Sequence, residues 1–149
     1  MEIRKITPFL WLDNPADEAA KFYCAVFKNS KIINASAMMA VFELEGQQFK
    51  AGNFGPQFKF NEAVSMYLDC DTQADVDYYW DKLTADGGEE SRCGWLKDKF
   101  GLSWQIIPVA FSQMMGSGDP VKTQRVIAAM MQMNKMDIAK LQQAFDGSN

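Results

Sequence analysis

A chain of 149 residues has the length of one domain, and with 48% hydrophobic residues it can bury a core, which excludes a disordered protein. Its net charge of −4 repels phosphate backbones and anionic lipid, so neither nucleic acid nor a membrane is an expected partner. Histidine is absent, which removes Ser-His-Asp and Cys-His catalysis within one chain and leaves any metal site to carboxylate, amide or thiolate ligands.

The first element is a strand over Ile3 to Leu12, rich in β-branched and aromatic residues. No apolar signal-peptide core follows Met1-Glu2-Ile3-Arg4-Lys5, and no apolar run is long enough to span a bilayer. Asp13-Asn14-Pro15 stops the strand and starts a helix whose apolar positions are Ala16, Ala19, Ala20, Tyr23 and Phe27. Lys28-Asn29-Ser30 ends it. Strands follow over Lys31 to Ala35, Met38 to Leu44 and Gln48 to Asn53, with Glu45-Gly46 as a turn. Only Asn34 to Ala37 can connect the first two of these. Either a short hairpin forms there, or a flexible loop that the pattern calls for is absent.

After a loop over Gly55 to Asn61 the order repeats. Ala63 to Cys70 reads as a strand, Asp71-Thr72 as the cap of a helix carrying Val76, Tyr79, Trp80 and Leu83, and Ala85 to Gly88 as its end. Glu90 to Leu96 reads as a strand, Lys97 to Gly101 as a hairpin turn, and Leu102 to Val109 as the last strand. A shift of 58 positions lays the first half on the second: Thr7 meets Ser65, Phe9 meets Tyr67, Leu10 meets Leu68, Asp13 meets Asp71, and Phe22 meets Trp80. The expected class is therefore α+β, built from two βαβββ modules (about 1–58 and 59–110) with a helical tail over about 111–149. In the tail, Asp119 caps a helix with Pro120 at its first position, running to Met133, and a second helix runs from about Asp137 to Phe145. These helices pack on the domain or on a second subunit. The tail methionines, from Met114 to Met136, read as packing residues, with an adaptable binding surface as the alternative.

Strand alternation sorts the faces. Leu10, Leu12, Leu68 and Cys70 point toward the helices. Thr7, Phe9, Trp11, Ser65, Tyr67 and Asp69 point the other way, and Ser103, Gln105 and Ile107 share one face of the last strand. Phe9, Trp11 and Tyr67 around Ser65, Asp69, Ser103 and Gln105 would hold a small, partly apolar ligand. The alternative is an ordinary sheet face. Two residues are candidates for catalysis. Asp69 could be a general base, against a solvated charge at a strand end. Cys93 could be a nucleophile, against a buried structural thiol, since no histidine can activate it. Cys24 and Cys70 read as fillers. Three widely spaced cysteines without a C-x-x-C suit a reducing cytoplasm. No cofactor is implied: Gly116-Ser117-Gly118 lacks the third glycine of a dinucleotide turn, which falls on Val121, and no βαβ unit surrounds it.

The runs Ile6-Thr7-Pro8-Phe9-Leu10-Trp11-Leu12, Phe60-Asn61-Glu62-Ala63, Cys70-Asp71-Thr72-Gln73 and Tyr78-Tyr79-Trp80 carry a resemblance, as do Cys93-Gly94-Trp95-Leu96-Lys97-Asp98-Lys99-Phe100-Gly101 and Ser103-Trp104-Gln105-Ile106. They resemble the PhnB-like group, also described as 3-demethylubiquinone-9 3-methyltransferase-like, of the vicinal-oxygen-chelate (glyoxalase/bleomycin resistance/dioxygenase) superfamily. The resemblance covers nearly the whole chain. It implies two βαβββ modules whose curved sheet cups a pocket, and a homodimer. It also implies metal-ligand positions on the first strand of each module and on the last strand. Thr7, Ser65 and Gln105 stand there, and none is a strong ligand for a divalent ion. The first expectation is a metal-independent small-molecule-binding protein. The second is an enzyme using a metal held by oxygen ligands, or Asp69 as base. The third is the methyltransferase of the group's label.

Overall fold

The structure is a computed structural model that describes residues 6–148. The part of the expected first strand over Ile3 to Lys5 lies outside these residues. The chain divides into two units, residues 1–59 and 60–149.

In unit 1, Phe9–Leu12 form β1, Ala16–Val26 α1, Ser30–Ala35 β2, Met39–Leu44 β3 and Gln47–Asn53 β4. The sheet order is β1-β4-β3-β2, with β1 parallel to β4 and the other pairs antiparallel. Alternation works as the sequence predicts. Leu10, Leu12, Ala40, Phe42, Leu44, Phe49 and Ala51 are buried, and the small residues Ala16, Ala19 and Ala20 let α1 approach that face closely. Tyr23 and Phe42 stack at 5.8 Å, and Phe42 and Phe49 at 5.6 Å. The questioned connection between β2 and β3 is a short hairpin, closed by Ser36 N donating to Met39 O at 2.8 Å, with a register shift between Ile32 and Asn34.

In unit 2, Ser65–Cys70 form β5 and Gln73–Thr84 form α2, which ends in one 3-10 turn over Ala85–Gly87. Glu89–Glu90 form β6, Trp95–Lys97 β7 and Ser103–Pro108 β8. The sheet order is β5-β8-β7-β6, the same as in unit 1. The repeat read from the 58-residue shift is thus a repeat of topology. Thr72 Oγ1 accepts from Asp75 N at 3.1 Å, the cap the sequence proposes. Val76, Trp80 and Leu83 of α2 are buried, as are Cys70, Leu96, Trp104 and Ile106 of the sheet.

Two expectations in this unit need correction. The strand expected over Glu90 to Leu96 is broken. Cys93 and Gly94 adopt left-handed backbone, φ 60° and 84°, and turn the chain between β6 and β7. Their amides are satisfied from the tail, Cys93 N by Met133 O and Gly94 N by Asn134 O, both at 2.8 Å. Lys97, expected in the hairpin turn, is the last residue of β7. Second, β8 stops at Pro108 rather than Val109, and a helix that the pattern does not announce, α3, runs over Val109–Met115.

The two expected tail helices are α4, Pro120–Met130, capped by Asp119, and α5, Ile138–Asp146, capped by Asp137. Ile107, Met114, Val126, Met136 and Leu141 form a second small core. Gln73 Nε2 donates to Met136 O at 3.0 Å and Gln73 Oε1 accepts from Ile138 N at 2.8 Å. The tail therefore packs on its own unit, and its methionines mostly fill that core. No helix among the described residues is long and apolar enough to cross a membrane.

Candidate functional site

Pairing in the second sheet sets out its open face in rows. Ser65 of β5 stands beside Ser103 of β8, which faces Lys97 of β7, which faces Glu89 of β6. The next row is Tyr67, Gln105 and Trp95. The third is Asp69 and Ile107. Four of the expected ligand-binding residues, Ser65, Tyr67, Ser103 and Gln105, thus share one face. Gln105 Nε2 donates to Ser65 Oγ at 3.0 Å. Tyr67 Oη lies 3.4 Å from Ser112 Oγ of α3. Ile107, expected on the open face, is covered by the tail's small core.

Ser103 is fully buried, and its Oγ has no hydrogen-bond partner among the described residues. A buried hydroxyl without a partner is costly, about 1–3 kcal/mol, and calls for an explanation. One is at hand, because Ser103 lines a cavity of about 540 Å³ together with Glu62, Glu89, Arg92, Cys93, Trp95 and Lys97. That volume suits a small ligand. Lys97 pairs with Glu62 beside the cavity. This hydrogen bond, then their mutual attraction, raises the Lys97 pKa against the opposing effect of desolvation. The same contact is the main reason the Glu62 carboxyl lies below its ordinary value. Sequence reasoning passed over Trp95, Lys97, Glu62 and Glu89. The alternation Trp95-Leu96-Lys97 was the available signal, and the hidden break at Cys93-Gly94 obscured its register.

Phe9 and Trp11, the other two expected ligand-binding residues, belong to unit 1, on the sheet face turned away from α1. Phe54 lies over Gly52, where a Cβ would come within 2.5 Å of its ring, so only glycine admits it there. Phe54 stacks on Phe9 at 5.9 Å and meets Trp11 edge-on at 5.1 Å. Phe58 meets Trp11 at 4.9 Å. Trp11 Nε1 donates to Gly55 O at 2.9 Å. Phe9, Phe54 and Phe58 stay exposed, an aromatic surface on unit 1.

The positions expected to hold metal ligands are occupied by neutral groups already engaged in hydrogen bonds. Thr7 Oγ1 accepts from Gln48 Nε2 at 3.3 Å, and Ser65 Oγ from Gln105 Nε2 at 3.0 Å. Each unit thus sets a hydroxyl, at matching positions of the repeat, against a glutamine amide of the neighbouring strand. Among the described residues no three His, Cys, Asp or Glu gather in a way that could hold a metal ion. Neutral hydroxyl and amide groups of this kind are weak ligands for a divalent transition metal.

Asp69 is exposed at the end of β5. Cys93 is half-buried rather than buried. Its Sγ lies 3.8 Å from Met131 Sδ and it borders the cavity. Cys70 is the buried thiol. Burial, assisted by the carboxylates of Asp75, Asp69 and Asp71, pushes its pKa up to about 12. At pH 8 a maleimide should leave Cys70 unmodified in the folded chain and label it once urea unfolds the protein, as peptide mass spectrometry would show. Because the folded state holds this proton more tightly, the associated stability is complete below pH 9 and is lost as pH rises from 9 toward about 12. Gly116-Ser117-Gly118 joins α3 to α4, helix to helix, and forms no strand-to-helix phosphate turn.

Residues 4–107 match the sequence pattern of the 3-demethylubiquinone-9 3-methyltransferase family. None of the curated proteins matches the chain. Among solved structures, a putative 3-demethylubiquinone-9 3-methyltransferase, PhnB protein, from Bacillus cereus is 30% identical. The match covers 70% of this chain and 99% of that one, with a TM-score of 0.64. The protein PA1353 from Pseudomonas aeruginosa is 17% identical over 71% of this chain and 98% of its own, TM-score 0.59. The fosfomycin resistance protein FosX from Listeria monocytogenes, complexed with Mn(II) and sulfate, is 15% identical over 70% and 88%, TM-score 0.53. At these identities the last two show likeness of fold alone. With the same sheet order in two βαβββ units and a family pattern spanning both, the chain belongs to the 3-demethylubiquinone-9 3-methyltransferase family, the PhnB-like group of the vicinal-oxygen-chelate superfamily.

Proposed function

We propose that the protein binds a small, partly apolar molecule on the open face of its second sheet, and that it does so without a metal ion. Ser103, a fully buried residue that lines the cavity and whose Oγ has no partner among the described residues, carries this reading. A ligand that hydrogen-bonds there removes the cost of leaving that oxygen dry. Beside it, Ser65 accepts from Gln105, so the Ser65 O–H and the Gln105 carbonyl oxygen remain for a ligand's acceptor and donor. Tyr67 and Trp95 supply apolar area on either side of Gln105. The metal-free part rests on donor chemistry: the places that would carry ligands hold hydroxyls and an amide.

The test is a ligand-observed NMR screen of small fragments against the full chain, the Ser103→Ala variant and the Gln105→Leu variant. Fragments that bind the native chain should lose affinity about fivefold to tenfold in each variant, the value of one hydrogen bond of about 1–1.5 kcal/mol. Fragments that bind all three equally would remove this face from consideration. Stoichiometric divalent metal in protein purified without chelator would overturn the metal-free part.

A further inference from the structure

The charges around the cavity bear on what kind of molecule it takes, and this step rests on the reading of that face as a binding site. Both cations at the cavity are engaged. Lys97 is paired with Glu62, and Arg92 donates to the Met131 carbonyl oxygen. Glu90 is used as well, accepting from Trp80 Nε1. Glu89 differs. It is exposed at the head of β6, cross-strand from Lys97, and forms no direct ion pair among the described residues. The lining therefore holds three carboxylates, Glu62, Glu89 and Glu90, against two cations, Lys97 and Arg92, in a chain whose net charge is −4. Trp95 adds an indole ring one row away, and Ser103 Oγ waits without a partner.

These three groups have one chemistry in common. A carboxylate, an aromatic ring and a hydroxyl oxygen all attract a positively charged N–H or N–CH₃ group. An anion would find Lys97 already paired with Glu62 and only the Arg92 guanidinium unpaired by a carboxylate, and it would enter against the net negative charge of lining and chain. Lys97, cross-strand from Glu89, attracts it, but its ammonium group is hydrogen-bonded to Glu62 and makes no direct ion pair with Glu89 among the described residues.

We propose that the cavity takes a small organic cation, with its ammonium or guanidinium group at Glu89 and Trp95 and an N–H donated to Ser103 Oγ. The cation is the ligand's own charge, so discrimination by charge at equal shape is the signature to seek.

The full chain, labelled with ¹⁵N, would be titrated with phenethylamine, agmatine and benzylamine, and with 2-phenylethanol and 3-phenylpropionate as neutral and anionic counterparts. At least one cation should shift the Ser103 and Trp95 amide resonances. Glu89→Gln should weaken it about tenfold, with an unchanged urea midpoint, and added salt should weaken it further. If the alcohol or the carboxylate shifts those resonances and no cation does, the face is a binding site but the charge assignment is wrong. A cation that binds equally well to Glu89→Gln also overturns the assignment. If none of the five moves Ser103 or Trp95, the charge assignment falls for want of a cation. The reading of the face as a site then stands or falls on the separate fragment screen with Ser103→Ala.

Discussion

Replacing Asp98 with alanine should destabilise the protein by about 3–5 kcal/mol, lowering its melting temperature by something on the order of 10 °C. Asp98 is only 2% exposed, an uncommon place for a carboxylate. It is tolerated because its oxygens are occupied. Oδ1 accepts from Phe100 N at 2.9 Å and Leu102 N at 3.1 Å, and Oδ2 accepts from Trp104 Nε1 at 2.9 Å. Removing the carboxylate strands three N–H donors, two of them at a tight turn and one on a buried indole. Hydrogen bonds to a charged acceptor contribute about 1.5–3 kcal/mol each, so even partial rescue by water leaves a large loss. The same turn fixes β7 against β8 and so holds Lys97 opposite Ser103. Asp98→Asn should recover only part of the stability, because an amide offers one acceptor oxygen where the carboxylate offers two. Urea denaturation followed by tryptophan fluorescence measures both variants. A loss below about 1 kcal/mol for Asp98→Ala would show that the clamp does not hold the hairpin.

Leu141→Ala should cost about 2–5 kcal/mol, although Leu141 lies in the last short helix, where fraying is the ordinary expectation. Leu141 is fully buried against the small core of Ile107, Met114, Val126 and Met136. Ile107 belongs to β8, so this core ties the tail to the sheet. Truncation leaves a cavity and removes apolar burial at once. Gln142→Ala, on the exposed side of the same helix, should change stability by no more than about 0.5 kcal/mol. Because the tail packs within its own unit, the Leu141→Ala loss should not depend on protein concentration. A loss that disappears on dilution would mean that the tail is held by a second copy instead.

The sequence carried some of this in local signals. Period-two alternation placed Leu10 and Leu12 inside and Phe9 outside, because β1 buries every second residue. Helix starts were legible where a side chain caps its own backbone, as Thr72 and Asp119 do. Of the site, alternation put Ser65 with Tyr67 and Ser103 with Gln105, and the pairing of β5 with β8 sets the two pairs on one face.

The rest depended on partners far away in the chain. The run Glu90 to Leu96 reads as one strand, and its break at Cys93-Gly94 is completed by carbonyls some forty residues later, Met133 and Asn134. Asp98 sits among lysines in what reads as a solvated turn; only folding Trp104 back over that turn buries it. Ile107 alternates like a pocket residue, and α3 to α5 cover it. Glu62 reaches Lys97 across 35 positions. The amino-acid order thus determined the two βαβββ units, their caps and the face that each strand presents, because those follow from backbone geometry and near neighbours. Which of those faces stays open, which hydroxyl lacks a partner and which carboxylate is left unpaired were decided by tertiary packing, because burial and charge pairing depend on what the remote chain brings alongside.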